Sequence, residues 1–424
     1  SRCRQLQGLS FFKLYQLQFV VLFMEFSQEV FLHSLAQTSP YPFLIPVEKA
    51  EGVYLYTPDG KSYLDMISGI GVSAIGHRHP HVIQAIKNQL DKHLHVMVYG
   101  EYAQHPAVEF CKLLAKHLPE PLDKTYLVNS GTEATEGALK LARRVTGRSH
   151  LVSCFNAYHG NTMGSMSVMG FEERKQVFRP LVPDVDFITF NNEADIVKIT
   201  TKTAGVILES IQGGAGFIEP ENGFLRKIKA RCDEVGALLI LDEIQPGFGR
   251  TGKLFGFENY EVVPDIVIMG KGMGGGMPVG AFTAKAEYMD LLSDHPKLGH
   301  ITTFGGHPVI AAACLAALRE VTETDLIPQT LVKETLFREL LVHPLIQEVR
   351  GKGLMLAAMV ETPEITNQII FKCQDKGLIL FWLLFEGRAI RITPPLNISE
   401  EEIREGCAIM LEALDEVIKE TADQ

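Results

Sequence analysis

Apolar residues in this chain fall into short continuous runs. From about residue 80 the runs are "TYLVN" (125–129), "HLVSC" (150–154), "DFITF" (186–190), "AGVILE" (204–209), "ALLILDE" (237–243), "DIVIM" (265–269) and "GAFTA" (280–284). Strands buried on both faces read this way, whereas half-exposed strands alternate. Helix-period stretches lie between the runs. They predict crossovers and an α/β fold with a mostly parallel central sheet flanked by helices. After about residue 310 the pattern changes. "LMLAAMVE", "GLILFWLL" and "AIRITP" predict a small separate sheet. A final helix opens with "SEEE" at Ser399, where Glu402 can reach back to the cap. "GVYLYTPDGKSYLD" predicts a hairpin around Asp59-Gly60. The expected division is a large domain over 76–310 and a smaller α+β domain built from 24–75 and 311–424.

Composition narrows the function. The chain has 424 residues, 46% of them hydrophobic, enough for a large core. A net charge of −11 and the lack of a basic stripe argue against nucleic acid as a partner. Seven scattered cysteines with no CxxC pair predict reduced thiols, no disulfide frame and a cytoplasmic protein. Residues 1–23 hold no acidic residue and precede Met24. They are too polar to span a membrane, and we expect a non-native or upstream extension there. No other segment is a membrane candidate.

Three stretches carry chemistry. In "VNSGTEATEGALKLARR" a strand ends at Asn129 and a helix starts near Thr132. Ser130 and Glu133 form a capping box, and Gly131 admits close approach of backbone to a ligand. This is either an ordinary capped helix or an anion site, with phosphate as the natural guest. In "LLILDEIQPGFGRTG", Asp242 directly follows a buried run. It either reaches solvent or is kept to hold a protonated ring nitrogen. In "PDIVIMGKGMGGGMPVG", Lys271 sits among glycines after another buried run. Residues 270–275 match GxGxxG, but a strand-like run follows where the dinucleotide fingerprint needs a helix. A Walker loop would need Ser or Thr after Lys271, and Gly272 stands there. The remaining reading is a Schiff-base lysine whose glycine collar leaves room for a flat cofactor. That reading joins all three stretches. Pyridoxal phosphate needs a lysine for its aldehyde, an acid for its ring nitrogen and a cradle for its phosphate. The histidines of "GHRHPHV" (77, 79 and 81) invite a metal reading, but their spacing is unlike HExxH and no acid is expected to be placed to complete a site, so no metal is expected.

From about residue 38 to the C-terminus the chain resembles the class III aminotransferases of the pyridoxal-phosphate fold type I superfamily. The likeness rests on "NSGTEA", "DEIQPGFGRTG", "PDIVIMGKGMGGGMPVGA", "TTFGGHP" and "RITPPL", in family order and spacing. It implies roles residue by residue. Lys271 would form the Schiff base and Asp242 would bind the ring nitrogen. Ile244 and Tyr158 would cover the two ring faces, and Gln245 would bond the ring hydroxyl. Ser130, Gly131 and Thr132 would hold the phosphate. Thr303 would reach the phosphate of a partner subunit, which implies a homodimer. Arg391 would grip a substrate carboxylate, with Glu209 as its masking partner. His159 is expected to be structural. One departure stands out: many ω-amino-acid members carry an arginine after "YHG", and here Asn161 stands in its place.

The resemblance implies a cytoplasmic aminotransferase. It would move an amino group, most simply the ω-amine of ornithine, acetylornithine or a similar donor, to 2-oxoglutarate. The same lysine, acid and phosphate pocket also serve decarboxylases, aminomutases and phospho-lyases. A non-enzymatic cofactor-binding regulator would need an added DNA-binding module, and no residues are left for one.

Overall fold

A computed structural model describes residues 28–422. Met24 and the extension before it lie outside the described residues. The seven apolar runs form one seven-stranded sheet: β4 (Lys124–Val128), β5 (His150–Cys154), β6 (Val185–Ile188), β7 (Thr203–Glu209), β8 (Leu238–Asp242), β9 (Ile266–Gly270) and β10 (Gly280–Ala284). Their spatial order is β4-β10-β9-β8-β7-β5-β6. Only β10 runs antiparallel to its neighbours, so the sheet is mostly parallel, as expected.

The continuous runs are explained by what covers the sheet. In β8, Leu239 and Leu241 face a core shared with Phe224 and Ile228 of the helix Phe224–Val235. Leu238 and Ile240 face a second core shared with Ala138 and Leu141 of the helix Gly131–Thr146. In β9, Val267 and Met269 join the first core, and Ile266 and Ile268 join the second. Each such side chain contributes about 1.5–3 kcal/mol on burial. The helix Pro308–Glu323 adds Ala313, Cys314, Ala317 and Val321 to the first core.

Two smaller sheets complete the fold. β1 (Lys49–Glu51), β2 (Tyr54–Tyr56) and β3 (Ser62–Asp65) form a meander whose last turn carries Asp59-Gly60, with Gly60 at φ 83°. β11 (Glu348–Lys352), β12 (Met355–Met359), β14 (Phe381–Trp382) and β15 (Ala389–Ile392) form the other. The run "GLILFWLL" does not make one strand of a single sheet. Its first half, β13 (Leu378–Ile379), pairs parallel with β3, and its second half, β14, pairs with β15. The N- and C-terminal segments are thereby joined by backbone hydrogen bonds. Ser399 and Glu402 form the predicted reciprocal cap, Glu402 N donating to Ser399 Oγ (3.2 Å) and Ser399 N to the Glu402 carboxylate (2.7 Å). Among the described residues no helix is long and apolar enough to cross a membrane, and the six cysteines are free.

Candidate active site

Parallel strands in an open sheet end on one edge, and ligands bind beyond those ends. Here that edge carries Asn129 after β4, Tyr158 and His159 after β5, Glu209 at the end of β7, Asp242 at the end of β8 and Lys271 just past β9. They surround a cavity of about 730 Å³. Its wall also includes Ser130, Gly131, Thr132, Ile244, Gln245 and Arg391. Every predicted site residue except Thr303 is therefore brought to one cavity. Thr303 is exposed in the loop before the helix Pro308–Glu323, away from this cavity.

The anion cradle forms as its residues dictate. Ser130 caps the helix Gly131–Thr146, its Oγ accepting from Glu133 N at 3.3 Å. The Glu133 carboxylate reaches back one residue further than a capping box requires, accepting from Asn129 N at 2.6 Å. Gly131 has a packing reason. A Cβ there would lie 2.7 Å from Ile244 Cδ1, so a larger residue would push the Ile244 side chain from its present position. The Thr132 hydroxyl is tied to Thr162 (2.8 Å) and Ser165 (2.7 Å), which fixes the first turn beneath a ligand.

Asp242 is 4% exposed, and its charge is supported from both oxygens. Ile244 N donates to Oδ1 at 3.0 Å, and His159 Nδ1 lies 2.8 Å from Oδ2. His159 is itself buried, and Thr135 Oγ1 donates to its carbonyl at 2.8 Å. His159, expected to be structural, therefore also positions the Asp242 carboxylate. Lys271 adopts a left-handed backbone (φ 44°), a conformation that costs a non-glycine residue about 1–3 kcal/mol and concentrates at functional sites. Among the described residues its amine has no hydrogen-bond or ion-pair partner. Burial pulls the ammonium below its usual pKa, with Asp242 pushing the other way.

One expected pair is not formed. Arg391 does not meet Glu209: its Nη1 donates to Gln245 Oε1 at 2.8 Å, and it lies over the Phe217 ring at 5.7 Å. Glu209 is held instead by Gly213 N (3.1 Å) and Tyr158 N (3.4 Å). The neutral Gln245 occupies the position at the guanidinium, which removes the expected mask. Burial raises the Glu209 carboxyl to about 7 and lowers the Arg391 guanidinium to about 10. Gln245 keeps its amide N–H groups available while its oxygen holds Arg391.

The far wall was not legible in the sequence. Phe381, Trp382 and Leu384 line the cavity with Arg391, as do Ile70, Val72 and Met277. Trp382 is the single tryptophan, and its Nε1 donates to Asn367 at 2.7 Å. Outside the cavity, an acid does stand beside the histidines. Glu320 lies 3.5 Å from His79 and 2.9 Å from His81, brought from 239 residues away.

The donor set fits pyridoxal phosphate: backbone amides at a helix start for an anion, a supported carboxylate for a ring nitrogen, and an unpartnered amine for an aldehyde. Comparison with known proteins agrees. The family model for aminotransferase class III matches residues 35–414. An acetylornithine aminotransferase of Methanopyrus kandleri is 38% identical over 375 residues, 88% of this chain and 95% of its own. A [LysW]-aminoadipate semialdehyde/glutamate semialdehyde transaminase of Sulfolobus acidocaldarius is 37% identical over 376 residues, 87% of this chain and 95% of its own. The ornithine aminotransferase of Toxoplasma gondii, in a structure described as showing partial occupancy of the cofactor at its active site, superposes with a TM-score of 0.87 at 28% identity. The match covers 94% of this chain and 95% of that one. The chain therefore belongs to the class III aminotransferases, enzymes of fold type I that work with pyridoxal 5′-phosphate.

Proposed function

We propose that this aminotransferase takes the ω-amine of an ornithine-like donor and passes it to 2-oxoglutarate. The observation that carries the reading is one cavity that joins Lys271, Asp242, the Ser130–Thr132 cradle and Arg391. Bound pyridoxal phosphate supplies an electron sink that makes the donor's amine-bearing carbon acidic. Ser130, Gly131 and Thr132 would hold its phosphate, with Ile244 and Tyr158 against its ring. Asp242, fixed by His159 and Ile244 N, would keep its ring nitrogen protonated. Gln245 can donate to the ring oxygen while it accepts from Arg391. Lys271 Nζ, whose neutral form burial favours, would take the proton from the donor carbon and return it at the neighbouring position. Arg391 would bind the carboxylate of the oxo acid bidentately. The names of the relatives support the donor class.

Several further features belong to the same reading. We place the protein in the cytoplasm as a homodimer, with exposed Thr303 reaching the partner's phosphate cradle. Among the described residues, the smaller unit takes the segment up to residue 75 together with the C-terminal segment. The helix Pro308–Glu323 belongs with the large unit, whose core it shares.

Single-turnover absorbance tests the chemistry. The protein is mixed separately with ornithine, N-acetylornithine, lysine, 4-aminobutyrate, alanine and aspartate. The visible cofactor band should be lost with an ω-amine donor and return on adding 2-oxoglutarate. Bleaching without return would shift the assignment to a decarboxylase, aminomutase or phospho-lyase. Lys271→Ala should fold and lose turnover by up to about 10⁴-fold. Near-normal turnover in that variant would sink the mechanism.

A further inference from the structure

2-Oxoglutarate carries two carboxylates, and the cavity wall offers one guanidinium, Arg391. Asn161 lines the same cavity where the resemblance led us to expect a second. We infer that Arg174, at the cavity rim, is the second carboxylate contact and sets the preference for dicarboxylate acceptors. This inference rests on the acceptor proposed above.

Five observations place Arg174 there. Its Nη2 donates to the carbonyl of Leu384, a cavity-lining residue, at 3.2 Å. Its guanidinium lies over the Phe385 ring, 5.7 Å from the centroid. Phe385 is itself fixed: its ring stacks on Phe171 (4.7 Å, 22°) and its backbone N donates to Gly214 O at 2.9 Å. Gly214 lines the cavity, and a Cβ added to it would sit 2.7 Å from the Phe385 ring, so the Phe385 platform borders the opening directly. Finally, the Arg174 charge reaches the cavity interior. It pulls the Tyr158 phenol down, against the burial that raises it.

Arg174 is also free to act. It is exposed, and among the described residues it forms no ion pair, although acidic neighbours are at hand. Glu172, two residues away, is taken by Arg179, and Glu386 by Arg388. A guanidinium stacked on an aromatic ring keeps its fork of donors aimed outward while losing little freedom on binding. With Arg391 deep and Arg174 at the mouth, the two guanidinium groups would take opposite ends of a short dicarboxylate. A monocarboxylic oxo acid would use only Arg391.

The test compares acceptors in the holoenzyme. In Arg174→Gln, the kcat/KM preference for 2-oxoglutarate over pyruvate should fall about tenfold, mainly through the 2-oxoglutarate KM. Arg174→Lys should restore part of it. Arg179→Gln, whose partner is Glu172 on the same loop, should keep the wild-type preference. Acceptor binding, followed by the fluorescence of Trp382, should show the same selective loss for 2-oxoglutarate. An equal fall for both acceptors would mean that Arg174 only holds the rim in place, and would overturn the inference. A wild-type preference that survives Arg174→Gln would overturn it alone. A wild type with no preference for 2-oxoglutarate would overturn the acceptor assignment as well.

Discussion

The cavity has a floor and a far wall, and they are made differently. The floor is a row of strand ends: Glu209 closes β7, Asp242 closes β8, and Lys271 follows β9. Each residue is placed by the strand it directly continues, so its position is set locally. The far wall comes from the small sheet that holds β14 and β15. Phe381, Trp382, Leu384 and Arg391 reach the cavity only because that sheet folds over the strand ends. Floor residues should therefore govern chemistry, and wall residues should govern which molecule is held.

The largest expected effect after removal of Lys271 is at the centre of the floor. Asp242→Asn keeps the shape and can still accept from Ile244 N or His159. It cannot keep a ring nitrogen protonated. Turnover should fall roughly 10²–10³-fold, the scale of losing one well-placed charge in a dry site. The visible cofactor band should shift as well. A loss confined to KM, with an unmoved band, would place Asp242 outside the cofactor's electronics and break the contrast between floor and wall.

Glu209 tests the floor through stability. Its carboxyl has an ordinary value of 4.5 and is raised to about 7, chiefly by burial. Below pH 4.5 the group is protonated both folded and unfolded, and its favourable contribution is fully present. As pH rises towards 7, the unfolded chain ionises freely while the buried group resists, so stability is lost across that window. Glu209→Gln has no proton to lose. The stability of the wild type relative to this variant should fall by about 3 kcal/mol over the window. Denaturation at a series of pH values, with cofactor held constant, measures it. Parallel curves for the two proteins would show that Glu209 ionises as it would in water.

What the sequence revealed follows the same line. The seven runs became the seven strands because continuous apolar character is a local sign of burial on both faces. Lys271, Asp242 and the Ser130 cap were legible because each lies within a residue or two of a strand end. The failures all involve distant parts of the chain. The expected Glu209–Arg391 pair was displaced by Gln245, a residue 146 positions from Arg391. "GLILFWLL" was divided between two sheets because β3, over 300 residues earlier in the chain, captures its first half. The acid beside His79 and His81 came from the helix Pro308–Glu323. No local pattern encodes which of two sheets will take a strand, or which side chain will arrive first at a guanidinium.

The smallest effect is expected on the wall. Trp382 packs against Phe43, Phe371 and Phe381, with ring centroids 5.0–5.7 Å apart, and also lines the cavity. Trp382→Ala would open that surface without touching Lys271, Asp242 or the phosphate cradle. The donor kcat/KM should change about tenfold, the low end of what one apolar contact with a substrate is worth. The cofactor band should stay where it is, in contrast with Asp242→Asn. The direction separates two roles. If Trp382 contacts the donor, kcat/KM falls for every donor long enough to reach it and holds for short ones. If it merely narrows the cavity, bulkier donors gain. A shifted cofactor band in this variant would mean that the small sheet sets the geometry of the floor as well, and the division between chemistry and selection would fail.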